Sequence, residues 1–221
     1  MFKKAWELLA RRKRAITPSL AGVLLSAAIL AISPTFGALG FALGIVIALI
    51  VLDIGRSRTL TILGGKGDWK GVWRRICVDS GFLALASLLV LILPISEAVA
   101  VMQGDYVTAS VIGILWYYLL AVYILFLVEF FPMGYLVAVK GKSVEGALIE
   151  SAKMFRRGKW RQMKRAIIYW AFIVVWVLIN WIVTLLNGTA ATMVSIVALL
   201  FAGAFLIPYM EAVYVVLNEG P

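Results

Sequence analysis

Two glutamates lie inside long apolar runs, and each stands three residues from a proline. Glu129 precedes Pro132, and Glu211 follows Pro208. An ionised carboxylate in hydrocarbon costs at least about 2.5 kcal/mol, so we expect each to be protonated, paired or open to water. Proline also frees a backbone carbonyl, which can help to bind a cation or a polar ligand. The pattern predicts a ligand or ion pathway, with Asn180 on a later apolar run as a further member.

A second interpretation places both glutamates at the cytosolic interface. Their apolar runs are longer than one membrane crossing, so the carboxylates would overshoot the hydrocarbon and pair with nearby arginines. The arginines expected as partners are Arg156, Arg157, Arg161 and Arg165. Asp53 and Asp79 stand at the ends of apolar runs and are expected to be solvated. Both interpretations of the glutamates stay open.

The other residue types limit the chemistry. The chain has no histidine, which excludes His-dependent proteases, His nucleophiles and His-bearing metal sites. It has no Asp-rich motif for Mg²⁺ and no GxxxxGK[ST] phosphate loop. Cys77 is the single cysteine, so an intramolecular disulfide is excluded. We predict no catalytic residues, no metal and no cofactor, and therefore a chain that is not an enzyme.

The basic residues indicate where the chain lies. All 21 Lys and Arg residues fall in three blocks, Lys3 to Arg14, Arg56 to Arg75 and Lys140 to Arg165. Two long apolar segments separate each block from the next. Because Lys and Arg are retained on the cytoplasmic face, the pattern predicts a multi-pass protein of the cell membrane with both termini in the cytoplasm.

The apolar segments predict an all-α fold, a single transmembrane domain over residues 1–221. A helix crosses the hydrocarbon layer in about 20 residues. Six spans, arranged as three hairpins, are expected at about 17–32, 36–54, 81–102, 106–139, 166–186 and 189–217, the last interrupted by Pro208. The fourth is too long for one untilted crossing, so it should tilt, kink at Pro132 or project into the cytoplasm. Gly40 and Gly44 form a GxxxG pair that favours close approach of a neighbouring helix.

Short amphipathic helices are expected between the spans, in the plane of the interface. Residues 1–15 place Phe2, Trp6 and Leu9 on one face. The same spacing follows Ser143, and it follows Asp68 with Trp69, Val72, Trp73 and Ile76. Basic residues around them are predicted to contact anionic lipid headgroups. These are Lys3, Lys4, Arg11, Arg12, Lys13, Arg14, Arg74, Arg75, Arg156, Arg157, Arg161 and Arg165. The alternative is that they only fix the topology and pack beneath the bundle.

Two segments carry a family resemblance. The segment GKSVEGALIESAKMFRRGKWRQ begins at Gly141, and the closing segment PYMEAVYVVL begins at Pro208. With the six-span layout, they resemble the six-helix membrane domain of glycerophosphodiester phosphodiesterases and related stand-alone prokaryotic membrane proteins of unknown function. In those enzymes the hydrolytic chemistry lies in a separate soluble barrel, and this sequence contains no such barrel. The resemblance therefore implies a membrane domain without that activity.

Three functions remain as hypotheses. The first is a non-catalytic accessory, scaffold or regulatory component at the membrane. The second is a small carrier or substrate-binding subunit of a transporter, with its polar site near the prolines of spans four and six. A lipid-modifying enzyme with Glu129 or Glu211 as general base is the third. The expected partners are the bilayer, anionic lipid headgroups, and another membrane protein or a second copy of this chain. The basic residues that give the net charge of +10 flank apolar spans, so no nucleic-acid partner is expected.

Overall fold

The computed structural model describes residues 1–87, 93–184 and 188–219, where all regular structure is helical. The prediction of an all-α fold is confirmed for these ranges. In chain order, their α-helices are α1 (Phe2–Arg11), α2 (Ile16–Ile32), α3 (Gly37–Leu63), α4 (Trp69–Ser87), α5 (Leu93–Met102), α6 (Tyr106–Glu129), α7 (Met133–Ala138), α8 (Val144–Thr184), α9 (Gly188–Phe201) and α10 (Ile207–Glu219).

Helices α2 and α3 form an antiparallel hairpin in which the two backbones touch. A Cβ atom on Gly55 would lie 2.6 Å from the Pro18 carbonyl oxygen and 3.0 Å from Cα of Gly22. Nearer the turn, the Ser26 hydroxyl donates to the Ala48 carbonyl at 2.8 Å. Small and hydroxyl-bearing residues therefore bring the two helices together. The chain reverses in a 3₁₀ turn over Ser33–Phe36, as predicted.

Residues before and after the next reversal also pack against each other. The Tyr123 hydroxyl of α6 donates to the Phe82 carbonyl of α4 at 3.0 Å, and the Phe82 and Phe126 rings lie 5.5 Å apart. At the reversal, Asp105 caps α6 by accepting a hydrogen bond from the Thr108 N–H at 3.0 Å. Hydrogen bonds from Thr108 lower the pKa of the Asp105 carboxyl. The Phe82 end of α4 therefore packs against the C-terminal half of α6.

The chain breaks at Pro132, as the length of the fourth apolar run predicted. Helix α6 ends before this proline and the short, fully buried helix α7 begins after it. Tyr214 of α10 holds the break from both sides. Its hydroxyl donates to the Phe131 carbonyl at 2.5 Å and accepts from the Tyr135 N–H at 3.1 Å. The polar backbone at the break is therefore bonded to a side chain.

Replacing Tyr214 by Phe is expected to cost about 1–3 kcal/mol of stability. The change leaves the ring in place but deprives two buried backbone groups of their partner. Thermal unfolding in detergent micelles measures the effect. Tyr209→Phe is the matched control, because the Tyr209 hydroxyl makes only an exposed bond of 3.4 Å to the Phe2 carbonyl. Equal losses in both variants would contradict the role given to Tyr214.

The last apolar run is interrupted just before Pro208, as predicted. A π-helical turn over Ala202–Leu206 joins α9 to α10. Proline has no N–H to continue the helical ladder, so the wider turn accommodates it. The Ser19 hydroxyl of α2 donates to the Gly203 carbonyl in this turn. The interruption therefore lies against the first hairpin.

The N-terminal segment folds into α1 and a 3₁₀ turn over Lys13–Ala15. Ala5 and Leu9 are buried, while Phe2 and Trp6 are 51% and 53% exposed. The Trp6 ring lies 6.5 Å from the Tyr209 ring of α10. The predicted apolar face of α1 is therefore divided, with only its Leu9 end in the core.

Helix α4 divides its predicted apolar stripe in the same way. Val72 and Ile76 are buried, whereas Trp69 and Trp73 are each 55% exposed. The two exposed tryptophans lie one turn apart, so they share a face. The Val72 and Ile76 side of the stripe therefore lies in the core, while the tryptophan side stays exposed.

Helix α8 combines a predicted interfacial helix with a predicted span. Ser143 caps its start by accepting a hydrogen bond from the Gly146 N–H at 3.1 Å. The backbone leaves the helical conformation at Gly158 (φ −162°, ψ 56°). The amphipathic and apolar parts of α8 are therefore separated at this glycine.

Three helices in the described residues are long and apolar enough to cross a membrane. They are Lys13–Phe36, Tyr106–Ala138 and Val194–Glu219. Large apolar side chains on them are open, such as Val107 (77% exposed) and Ile114 (72% exposed). These features indicate a membrane protein. Residues 88–92 of the predicted third span and 185–187 around the end of the fifth lie outside the described residues.

Candidate functional site

Glu211 is the centre of a buried cluster of charged side chains. It is completely inaccessible to solvent. Arg75 binds it through two parallel hydrogen bonds, Nη1 to Oε2 at 2.9 Å and Nη2 to Oε1 at 3.0 Å. Arg56 Nε donates to Oε1 at 2.7 Å, and the Tyr169 hydroxyl donates to the same oxygen at 3.1 Å. Both carboxylate oxygens are therefore held by side chains.

The four members of this cluster come from four helices. Arg56 lies on α3, Arg75 on α4, Tyr169 on α8 and Glu211 on α10. Arg56 follows the second predicted span and Arg75 precedes the third, whereas Tyr169 and Glu211 lie within the fifth and sixth. The cluster therefore joins parts of the chain that are more than 130 residues apart, since 136 residues separate Arg75 from Glu211.

Local sequence explains why Arg75 points inward. It shares a helical face with Val72 and Ile76, both buried. Asp79, one turn later, accepts from Arg75 Nε at 3.2 Å and lies 3.8 Å from Arg56. A buried guanidinium needs such partners, because a buried ion without them loses its hydration uncompensated.

The charges of the cluster nearly cancel. Two guanidinium groups face the carboxylates of Glu211 and Asp79. Burial alone would lower the pKa of Arg75, but the attraction of the Glu211 carboxylate outweighs it and raises that pKa well above the ordinary value. Arg75 therefore stays charged throughout the physiological range.

A cavity of about 390 Å³ opens beside the cluster. Arg56 and Asp79 reach it with partly exposed side chains, 29% and 26% accessible. Most of its remaining wall is aromatic. These aromatic side chains are Phe82, Tyr123, Phe130, Phe131, Tyr169, Trp170 and Tyr214. Such a pocket offers one cation and one anion side by side, so it suits a polar or zwitterionic molecule.

Both oxygens of the carboxylate at the centre of the cluster are hydrogen-bonded. The Glu211 carboxylate accepts four hydrogen bonds, which stabilise its charged form. Cys77 is exposed on α4 and does not line the cavity. Within the described residues, no three His, Cys, Asp or Glu side chains are grouped to hold a metal ion.

Of the residues predicted to line a pathway, Glu211 and Pro208 lie in the buried part of α10. Glu129 is half-buried at the end of α6, and neither it nor Pro132 lines the cavity. Neither Glu129 nor Pro132 therefore shares the cavity beside Glu211. Asn180 lies on α8, and its side chain is outside what the structure describes.

The predicted partners of Glu211 were wrong. It pairs with Arg56 and Arg75 from the second basic block, whereas the arginines between 156 and 165 were expected. The solvation predicted for Asp53 and Asp79 was also wrong. Asp79 takes part in two ion pairs, and Asp53 Oδ1 is buried without a hydrogen-bond partner among the described residues.

The predicted headgroup contacts divide by exposure. The prediction is wrong for Arg75, which is 1% exposed and paired inside the protein. Arg12, Arg74 and Arg165 are half-buried. The exposed members are Lys3, Lys4, Arg11, Lys13, Arg14, Arg156, Arg157 and Arg161. These eight remain open to a charged surface.

Sequence reasoning missed Arg56, Asp79 and Tyr169 as members of the site. The spacing of Arg75 and Asp79, four residues apart beside buried Val72 and Ile76, was a usable signal. Arg56 and Tyr169 had none, since their contacts join distant helices.

The comparisons with known proteins found no match among protein-family models, curated proteins or solved structures.

Proposed function

We propose that this chain is a non-catalytic, multi-pass membrane component that acts as an accessory, scaffold or regulatory protein. The observation that carries the proposal is the bonding of the Glu211 carboxylate. Side chains of three other helices donate hydrogen bonds to this carboxylate. Glu211 therefore suits the role of a structural joint, a contact that holds four helices together. A general base or an ion ligand would need an oxygen open to its substrate.

The proposed topology has six spans in three hairpins, with both ends of this chain in the cytosol. Contacts between helices support it, because α3 runs antiparallel to the apolar helix α2 and Phe82 of α4 packs against α6. The basic blocks also meet at one end of the bundle. Arg12 donates to the Leu63 and Ile62 carbonyls, and Arg74 donates to the Gly141 carbonyl at 2.8 Å. Three blocks on one side are what retention of Lys and Arg in the cytosol requires.

The resemblance to the membrane domain of glycerophosphodiester phosphodiesterases belongs to this proposal. Its two segments contribute to the core. Ala147 and Ser151 of the first are fully buried, and Glu211 and Tyr214 of the second hold the cluster and the break at Pro132. The packing of these residues gives the shared segments a structural purpose that needs no catalysis.

A small carrier is the second candidate, because the 390 Å³ cavity presents Arg56 and Asp79 to a possible cargo. Expression of variants in a strain that lacks the chain distinguishes the two functions. Leu127→Trp places an indole in the cavity wall. If the protein is a scaffold, this variant should restore the wild-type phenotype as well as the unmodified chain does. Asp79→Asn should do the same whenever the variant reaches the membrane in normal amount. Loss of rescue by both variants at normal abundance would favour the carrier.

A further inference from the structure

A basic cleft of about 870 Å³ lies where the end of α1, the turn before α2 and the turn between α3 and α4 meet. Among the described residues, six cationic side chains and no acidic one line it. They are Arg11, Arg12, Lys13, Arg14, Arg58 and Lys66. The cleft therefore gathers the first two basic blocks into one site.

Two of these cations are fixed by the backbone around them. Arg12 donates to the Ile62 carbonyl at 3.1 Å and to the Leu63 carbonyl, so it covers the negative end of α3. Arg58 donates to the Gly67 carbonyl and lies 4.8 Å from the centre of the Trp69 ring. Both guanidiniums are positioned before any ligand arrives, which lowers the cost of ordering them.

Gly65 makes room for Arg12. A Cβ atom at this position would lie 3.1 Å from Arg12 Nη1, and the backbone φ of +85° disfavours any other residue. The turn is therefore shaped around the guanidinium.

The other four cations are exposed. Arg11, Lys13, Arg14 and Lys66 form no ion pair with an acidic residue in the part of the chain that the structure describes. Four unneutralised charges around one cleft repel one another, and a bound anion would relieve that repulsion.

We propose that this cleft binds the headgroup of a phospholipid that carries two negative charges. The proposal rests on the membrane topology given above. Lys13 is the first residue of the apolar helix Lys13–Phe36, so the cleft opens where that helix enters the bilayer. The exposed Trp69 ring beside Arg58 suits headgroup depth. Basic pockets next to membrane helices bind doubly charged headgroups in this way.

The test uses the full chain in a neutral detergent, with bound lipids counted by native mass spectrometry. The probes are diphosphatidylglycerol, which has two phosphates, and phosphatidylglycerol, which has one. Their binding is compared at concentrations that supply the same total negative charge. The expected result is one tightly held diphosphatidylglycerol. Removing two cations with Lys13→Gln and Lys66→Gln should weaken it on the order of thirtyfold, at about 1 kcal/mol for each charge.

The matched control removes two exposed cations elsewhere, with Arg156→Gln and Lys159→Gln, and should change the affinity less than threefold or so. Equal weakening by the two pairs of changes would overturn the proposal in favour of general surface charge. Equal binding of both lipids would also overturn it. So would displacement of the lipid by inorganic pyrophosphate, because the cleft would then recognise a soluble diphosphate. None of these results alters the six-span topology or the Glu211 joint, which are tested separately.

Discussion

Replacing Glu211 by Gln is expected to lower the free energy of unfolding by about 3–5 kcal/mol. The change leaves two buried or half-buried guanidiniums, Arg75 and Arg56, to share the single carboxylate of Asp79. Removing one member of a buried ion pair costs this much because the remaining charge stays desolvated and uncompensated. Titration of micelles with a denaturing detergent, followed by circular dichroism, measures the loss.

Glu129→Gln is the control for this prediction. It makes the same chemical change on a half-buried carboxylate outside the cluster, and it should shift stability by no more than about 0.5 kcal/mol. Adding Arg75→Met to Glu211→Gln should recover part of the loss, since it removes the stranded charge. If Glu211→Gln proves as mild as Glu129→Gln, the cluster is not the joint that we describe.

Replacing Gly55 by Leu is expected to cost about 3 kcal/mol or more. Even its first carbon would lie 2.6 Å from the Pro18 carbonyl oxygen and 3.0 Å from Cα of Gly22. Both are backbone atoms of α2, so the helices must separate for the side chain to fit. The same detergent titration reports the loss.

Gly81→Leu is its counterpart in an open position. A Cβ atom there would meet no atom of the described residues within 4 Å, so the variant should keep or slightly gain stability through better helix propensity. The contrast between the two glycines is the prediction. Similar losses at both would mean that α2 and α3 do not cross at Gly22 and Gly55.

Local sequence signals predicted several turns, caps and breaks of the helices, but not all helix ends, since α3 continues to Leu63. The turn at Ser33–Phe36, the cap at Ser143 and the breaks near Pro132 and Pro208 follow from residues within a few positions of each event. Such features depend on local sterics and on local hydrogen bonds, which a single sequence contains.

Contacts between helices were predicted less well. Gly40 and Gly44, the pair with the recognised spacing, pack against Phe36 and Ser33 in the turn, while the helices cross at two isolated glycines. The GxxxG spacing indicates that another backbone can approach closely, but it does not predict which helix does so.

The charged site shows the same limit. Arg74 and Arg75 are neighbours of the same type, yet Arg74 is half-buried at the surface and Arg75 is inside. The helical face shared with Val72, Ile76 and Asp79 distinguishes the two arginines. The partner of Arg75, Glu211, could not be predicted in the same way, because that pairing depends on how α4 and α10 pack.

The central claim is that the three basic blocks share one side of a six-span membrane domain, and cysteine labelling in sealed membranes tests it most directly. The native Cys77 is exposed beside the second block. A second chain carries Cys77→Ser and Gln103→Cys, in the exposed turn before α6. A third carries Cys77→Ser and Lys159→Cys. With an impermeant maleimide added outside intact cells, we predict labelling at position 103 alone, and labelling at 77 and 159 only after the membrane is opened. Labelling of 77 and 103 from the same side would contradict the account, because three spans in place of six would put both on one face.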